Sequence, residues 1–425
     1  MKRTKIVCTI GPASDSKKIL KQLISNGMNV ARLNFSHNVQ AYHQKAMQNI
    51  RQVAKESNKV ITIMQDLQGP RIRISKLPKK GVELKKGENI ILTTGQLNKQ
   101  KIGVTYYNMH KDVKVGHRIF IADGIFELRV EKVDGKDMQC RVISGGTLYS
   151  NKGMNLPDSN VTIPALSMKD KEDLMFGVKN NVDFVALSFV RSAEEVFELK
   201  KLIKRYEKGL GVKAKSPIKV IVKIERREAI DNLDEIIEAT DGVMIARGDL
   251  GIELPAEDVP LIQKMIIDKC LDHAKPVIVA TQMLDSMIEN SRPTRAEVSD
   301  VANAVIDHTD AVMLSGETAN GNFPVEAVKY MRKIVVKTEK STYDDLVFKQ
   351  KVNQILPTNE AISAVVKVLA EHIDAKVILV ASISGTSGRI ISRYRPELPI
   401  MVACIDDRVK RQLNFSWGVV PFKLP

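Results

Sequence analysis

The chain of 425 residues lacks any stretch of 18 or more apolar residues, so no membrane-spanning helix is expected. It has only four cysteines (Cys8, Cys140, Cys270 and Cys404), far apart and with no CxxC pair. That speaks against disulfides and a structural zinc site, and it fits a reducing cytoplasm. Aromatic residues are few, at 5%, and no RNP, zinc-finger or arginine-rich segment occurs. A specific nucleic-acid partner is therefore not expected, despite a formal net charge of +15. Small anionic substrates account for the charge better. A basic RNA-binding protein remains the non-enzymatic rival, separable by a salt-dependent gel shift. The opening MKRTKIVCTIGPAS is cut off by Gly11 and Pro12, too soon for a signal peptide, and reads as a first strand.

What the chain does have is a rhythm. Short apolar runs recur as KIVCTIGP, NVARLNFS, VITIMQDLQGP, VDFVALSFV, KVIVKIE, GVMIARGD, PVIVATQML and AVMLSGETA. Amphipathic helical patterns such as EEVFELKKLIKRY separate most of them. Eight β/α units predict a closed (β/α)8 TIM barrel, with a doubly wound open sheet as the alternative.

About a hundred residues separate the third and fourth runs. Their short alternating strands and Gly/Asp turns predict a small antiparallel β-barrel inserted as a lid. After about residue 340 a helix–strand pattern restarts and ends after two or three strands. The expected domains are 1–70 with 169–340 (barrel), 71–168 (lid), and 341–425 (a C-terminal α/β unit that reads as short).

In such a barrel the carboxyl ends of the strands form the active site. Here they present Arg32, Asn34, Ser36, Asp66, Lys223, Glu225, Asp249 and Thr281, with Arg73 just past strand three. In KVIVKIERREAI, alternation puts Lys223 and Glu225 on one face. A structural ion pair at a strand end is the bland reading of that pair. Glu225 and Asp249, one β/α unit apart, suit Mg²⁺, which takes one or two carboxylates plus substrate oxygens. A lysine beside them suggests phosphoryl or enolate chemistry. In RGDLG, Gly248 is expected to let backbone N–H groups approach an anion closely. NSRPTRAEVSD reads as a helix start, with Ser291 as N-cap and Pro293 in the first turn.

At this point the chain resembles the pyruvate kinase family. The motifs KIVCTIGPAS, ARLNFSH, DLQGPRIR, NKGMNLP, KIERREAIDNLDEI, MIARGDLGIEL, PVIVATQMLDSMIENSRPTRAEVSDVANAV and VMLSGETANGNFPVEAV follow in family order over nearly the whole chain. The resemblance implies phosphoryl transfer from phosphoenolpyruvate to ADP, giving ATP and pyruvate. It makes Lys223 the lysine facing the transferring phosphoryl group and the enolate, and Glu225 and Asp249 the Mg²⁺ (or Mn²⁺) ligands. Gly248, Asp249 and Thr281 become the groups around the substrate carboxylate, and Arg32 and Arg73 the phosphate-binding arginines. Asn34, His37 and Lys152 match nucleotide-side positions, with Asp123 as a lid aspartate; His37 reads equally as a satisfied polar residue. A homotetramer is implied.

Two departures matter. The family's K⁺ site uses the Asn34, Ser36 and Asp66 positions plus a threonine hydroxyl, and here that position is Leu67. Arg71 stands where K⁺-dependent members carry glutamate, which points to the K⁺-independent branch. The chain also stops where the family usually continues. In SISGTSG, the hydroxyls of Ser382, Ser384, Thr386 and Ser387 match an effector-phosphate loop, or form an ordinary strand–helix turn. The enzymatic rival is a Mg²⁺-dependent lyase or aldolase acting on pyruvate-like enolates; Lys223 and the 71–168 insertion favour the kinase.

Overall fold

The computed structural model describes residues 2–98, 100–346 and 357–424. All eight apolar runs form strands: Lys5–Thr9, Val30–Asn34, Thr62–Asp66, Phe184–Leu187, Lys219–Ile224, Gly242–Ala246, Val277–Ala280 and Ala311–Leu314. They pair in parallel in chain order, and the eighth returns to the first, so the sheet is a closed barrel. They are numbered one to eight below. The open-sheet alternative is excluded.

Strand alternation sorts the side chains. Val7, Val30, Met64, Ile221, Met244, Ile278 and Met313 fill the barrel interior, while their neighbours in sequence pack outward beneath the helices. The same parity turns Thr9, Arg32, Asp66 and Lys223 inward at the carboxyl ends, and Lys5 and Lys219 inward at the opposite end. The sequence thus encodes an apolar middle layer with a charged layer at each mouth.

Residues between strands three and four form a seven-stranded sheet with alternating burial, as in Phe126–Asp134 and Asp137–Ser144. Its two edges meet at the bridge between Ile74 and Val104, so the sheet curls into a barrel. One expectation needs correcting: Asn89–Thr93 and Lys101–Gly103 pair in parallel, so the insertion is not wholly antiparallel. The lid is tied back by Asn155, which donates to Glu253 at 3.0 Å, and by Arg191, which donates to the carbonyl of Ile163 at 2.7 Å.

A second correction concerns the helix Arg295–Ile306. Its N-cap is Thr294, not Ser291, and Pro293 lies outside the first turn. Thr294 Oγ1 accepts the Glu297 N–H, and the Glu297 carboxylate accepts the Thr294 N–H, so a capping box fixes the start.

Strands Ile378–Ala381, Ile400–Cys404 and Val419–Lys423 form a parallel sheet in the C-terminal unit, with helices Thr358–His372, Thr386–Ser392 and Asp407–Leu413. This unit stoppers the lower end of the barrel. Phe415 enters the barrel's inner core and meets Phe184 edge-on, with centroids 5.3 Å apart. Around it, Lys5 donates to the carbonyl of Val419, Arg395 pairs with Asp310 and Arg411 with Asp183. Phe415→Ala should therefore open a cavity at the barrel floor and cost about 3–5 kcal/mol, read as a fall in the urea unfolding midpoint. An unchanged midpoint would show that the ring does not support the floor.

Candidate active site

The upper mouth is built around a buried carboxylate. Asp66 ends strand three and is 1% exposed. Its Oδ2 accepts Arg32 Nε at 2.7 Å, and its Oδ1 lies 3.6 Å from Lys223 Nζ. Arg32 also donates to Thr9 Oγ1 at 2.9 Å. Lys223 Nζ donates to Ser188 Oγ at 3.0 Å and lies 2.8 Å from Glu225 Oε1. Burial acts to lower the Lys223 pKa, but the charges of Asp66 and Glu225 outweigh it, so the net direction is up and the ammonium stays charged. Burial opposes ionisation of Asp66 too, yet Lys223 and Arg32 hold its carboxyl below the usual range.

Glu225 follows strand five, on the face of Lys223, as alternation requires. Its Oε2 accepts the Phe189 N–H at 2.6 Å. Burial pushes this carboxyl up to about 7; Lys223 opposes the push and Asp249 adds to it. Its Oε1 is buried and has the Lys223 ion contact but no hydrogen bond of good geometry. Asp249, in the helix Arg247–Glu253 after strand six, has Oδ1 3.9 Å from Arg71 Nη2.

Thr281 directly follows strand seven with φ +68°, strained for a β-branched residue. In that conformation its Oγ1 accepts the Gly248 N–H at 2.8 Å and donates to the Ala280 carbonyl at 2.5 Å. Gly248 was expected to spare room for an anion. A Cβ there would meet Thr281 Oγ1 at 3.4 Å, an ordinary contact, and the Gly248 N–H is already bonded. Space does not demand this glycine.

Between lid and mouth lies a cavity of about 340 Å³. Arg71, Arg73, Asp123 and Lys152 line it from the lid, Phe189 and Asp249 from the barrel. Arg73 belongs to the lid-side strand Ile72–Arg73 and donates to the carbonyl of Asn151 at 2.9 Å. Asn34 and His37 stand outside this wall. Asn34 Oδ1 accepts the Ser36 N–H at 3.1 Å. His37 is exposed; partial burial and the nearby charges of Arg71, Arg32 and Arg73 lower its pKa, favouring the neutral ring. Leu67 is 1% exposed. The SISGTSG residues lie in the C-terminal unit. There Ser384 and Thr386 hydroxyls lie 2.9 Å apart, Gly385 takes φ +81°, and Ser382 N–H donates to the Ala403 carbonyl.

Sequence reading missed Ser188, Phe189 and Arg226. Phe189 has φ +56°, which aims its N–H at Glu225, and the Arg226 guanidinium lies 5.6 Å from the Phe189 ring centroid. The signal was present: Ser188 and Phe189 close the fourth apolar run, where a strand end is expected.

A parallel eight-stranded barrel that gathers arginines, a buried lysine and carboxylates under an inserted β-lid defines an enzyme for a small, highly charged substrate. The comparisons narrow the class. Family models of the pyruvate kinase barrel domain and the pyruvate kinase alpha/beta domain match residues 1–328 and 360–425. Pyruvate kinase from Geobacillus stearothermophilus is 44% identical over all of this chain and 72% of its own length. Pyruvate kinase 2 from Synechocystis is 47% identical over 99% of this chain and 70% of its own. A crystal structure of a pyruvate kinase from Cryptosporidium parvum superposes with a TM-score of 0.93 at 39% identity, covering 100% of this chain and 87% of that one. The chain belongs to the pyruvate kinase family. It is a phosphotransferase of that family, whose members use phosphoenolpyruvate and ADP and generally need Mg²⁺ and usually K⁺. No helix among the described residues is long and apolar enough to cross a membrane.

The Asp66 geometry carries its own prediction. Asp66→Ala leaves Arg32 and Lys223 buried beside each other without their shared counter-charge. The variant should lose about 3–5 kcal/mol of stability in chemical denaturation. A loss below about 1 kcal/mol would mean that the two cations are not held by this carboxylate.

Proposed function

We propose that Lys223 is the residue that carries the phosphoryl transfer. One observation supports this best: its charged ammonium sits at the barrel mouth, 2.8 Å from Glu225 and flanked by Asp66, inside a mostly buried layer. At roughly 4 Å and an effective dielectric near 20, such a charge stabilises a unit of developing negative charge by about 4 kcal/mol. Lys223 thereby compensates the transferring phosphoryl group and the enolate oxygen as charge moves onto them.

Arg32 and Arg73 orient the phosphate, Arg32 held by Asp66 and Thr9, Arg73 braced from the lid. Thr281 and the backbone at Gly248 and Asp249 position the substrate carboxylate and lie on the enolate's proton path. Asn34, His37, Lys152 and Asp123 serve the nucleotide.

Glu225 and Asp249 fit a Mg²⁺ ion, with Mn²⁺ as a substitute. The buried Glu225 Oε1 meets the Lys223 ammonium at 2.8 Å and has no other polar partner among the described residues, and the donors are hard oxygens. Two protein carboxylates leave the remaining coordination positions of such an ion to substrate oxygens and water. When bound, the ion supplies Lewis-acid charge to the phosphate and enolate oxygens.

Arg71 takes over the charge of K⁺. Leu67 offers no ligand, and Asp66 is already occupied by Arg32 and Lys223. Arg71 itself lines the cleft and reaches toward Asp249, which suits a role in setting the lid. The barrel unit is taken as 1–70 and 169–340, the lid as 71–168 and the C-terminal unit as 341–425. The working form is taken as a cytoplasmic homotetramer, with the SISGTSG hydroxyls as candidates for an effector phosphate.

Lys223→Met should fold normally and lose on the order of 10² or more in kcat, measured by coupling pyruvate formation to lactate dehydrogenase. Near-normal turnover would refute the assignment. In tetramethylammonium buffer, adding K⁺ should leave the rate nearly unchanged; strong activation would overturn the role given to Arg71.

A further inference from the structure

We propose that Arg226 is a further substrate-binding residue, the barrel-side cation that meets the diphosphate of ADP. The inference rests on the nucleotide assignment proposed above and adds a residue to which that assignment gives no role. Arg226 follows Glu225 in extended backbone, with φ −134° and ψ 156°. Alternation therefore turns it away from the face of Lys223 and Glu225, so it does not join the cluster around Asp66. It stands instead with Phe189 and Asp249 in the barrel wall of the cavity of about 340 Å³ beneath the lid.

Arg226 is a cation without a partner. It is 7% exposed, and its Nε is buried with nothing to donate to. Among the described residues its side chain makes no hydrogen bond and no ion pair; its one close polar-type contact is the Phe189 ring, whose centroid lies 5.6 Å away. Glu253 feels its charge, but that carboxylate is engaged by Asn155 at 3.0 Å and forms no ion pair with it. A buried guanidinium is costly unless an anion meets it. An anionic substrate in the cavity supplies that partner.

Two anions enter the reaction, and one of them lacks a cation here. In the reading above, phosphoenolpyruvate has Arg32, Arg73 and Lys223 for its phosphate, and Thr281 with the backbone at Gly248 and Asp249 for its carboxylate. Of the groups that serve the nucleotide, Asn34 is neutral, His37 favours its neutral ring and Asp123 repels phosphate. Lys152 is the one cation among them, and it belongs to the lid. Among the described residues that line the cavity, Arg226 is the only cation from the barrel. Its planar fork of N–H donors matches a pair of phosphate oxygens. Lys152 and Arg226 thus hold the diphosphate from opposite walls, one moving with the lid and one fixed to strand five.

The test is steady-state kinetics of the full chain, with ADP, phosphoenolpyruvate and Mg²⁺ each varied in turn. The proteins compared are wild type, Arg226→Met and Arg226→Lys. Arg226→Met should raise KM for ADP by about tenfold or more, while KM for phosphoenolpyruvate stays within about twofold. The Mg²⁺ concentration giving half the maximal rate should also stay within about twofold, which separates loss of the cation from damage to the neighbouring Glu225. Arg226→Lys should recover part of the loss, since it keeps the charge but not the fork. Without nucleotide, Arg226→Met should unfold in urea no earlier than wild type, because no partner is orphaned. An unchanged KM for ADP, or an equal rise in KM for both substrates, overturns the proposal. So does a lowered unfolding midpoint with a normal KM for ADP, which makes the residue structural. Should Arg226→Met fail to fold, Arg226→Gln carries the same comparison. The assignment of Lys223 fails separately, because it concerns kcat and not the KM for ADP.

Discussion

The mouth of this barrel depends on one carboxylate. Asp66 allows two permanent cations, Arg32 and Lys223, to stand inside a closed barrel above a layer of methionine, valine and isoleucine. Without it, burial would drive the lysine toward its neutral form, and two like charges would share a low-dielectric space. With it, Lys223 stays charged while hardly hydrated, the condition in which a fixed cation acts most strongly on a nearby phosphate. Glu225 completes the arrangement from the other side. It is held by the Phe189 N–H, and burial pushes its carboxyl up to about 7 against the pull of Lys223.

Two strained backbone positions serve this cluster. Phe189 and Thr281 both adopt left-handed φ values, costly for an aromatic and a β-branched residue. Each delivers a specific hydrogen-bonding group: the Phe189 N–H to Glu225, the Thr281 hydroxyl to the Gly248 N–H. A relaxed backbone at either position would turn that group away. The strain is tolerated because both residues follow barrel strands, whose parallel pairing and buried side chains determine where the chain emerges.

Much of this was legible in the residue order. Eight buried parallel strands must be apolar on both faces, so each stood out as a run, and the polar residue closing each run marked the mouth. Parity alone put Lys223 and Glu225 together. The lid betrayed itself by alternation, since its strands are covered on one side only. Other features could not be read this way. That Asp66 faces Arg32 and Lys223 depends on adjacency of strands two, three, four and five around a ring, not on spacing in sequence. The Thr294 cap went unread because Ser291 also precedes a plausible first turn, and the reciprocal bond with Glu297 that fixes Thr294 is visible only in three dimensions. The seating of Phe415 in the barrel floor is a contact across more than two hundred residues, with no local pattern to announce it.

Strand five shows why environment, not residue type, decides the outcome. It carries a lysine at each end, both on the face of Ile221, Lys219 buried and Lys223 with its side chain 11% exposed. At the upper end two carboxylates outweigh desolvation, and the lysine is held charged. At the lower end desolvation and Arg389 outweigh Asp241, and the ammonium is pushed to about 7. The strand, the parity and the side chain are the same, yet the shifts have opposite sign. The difference lies in what the neighbouring elements bring: strand three supplies Asp66 above, while the helix Thr386–Ser392 supplies another cation below. Fold-level resemblance fixes where both lysines stand, but it does not determine the charge that either carries. That is set one contact at a time by the residues lining each end of the barrel.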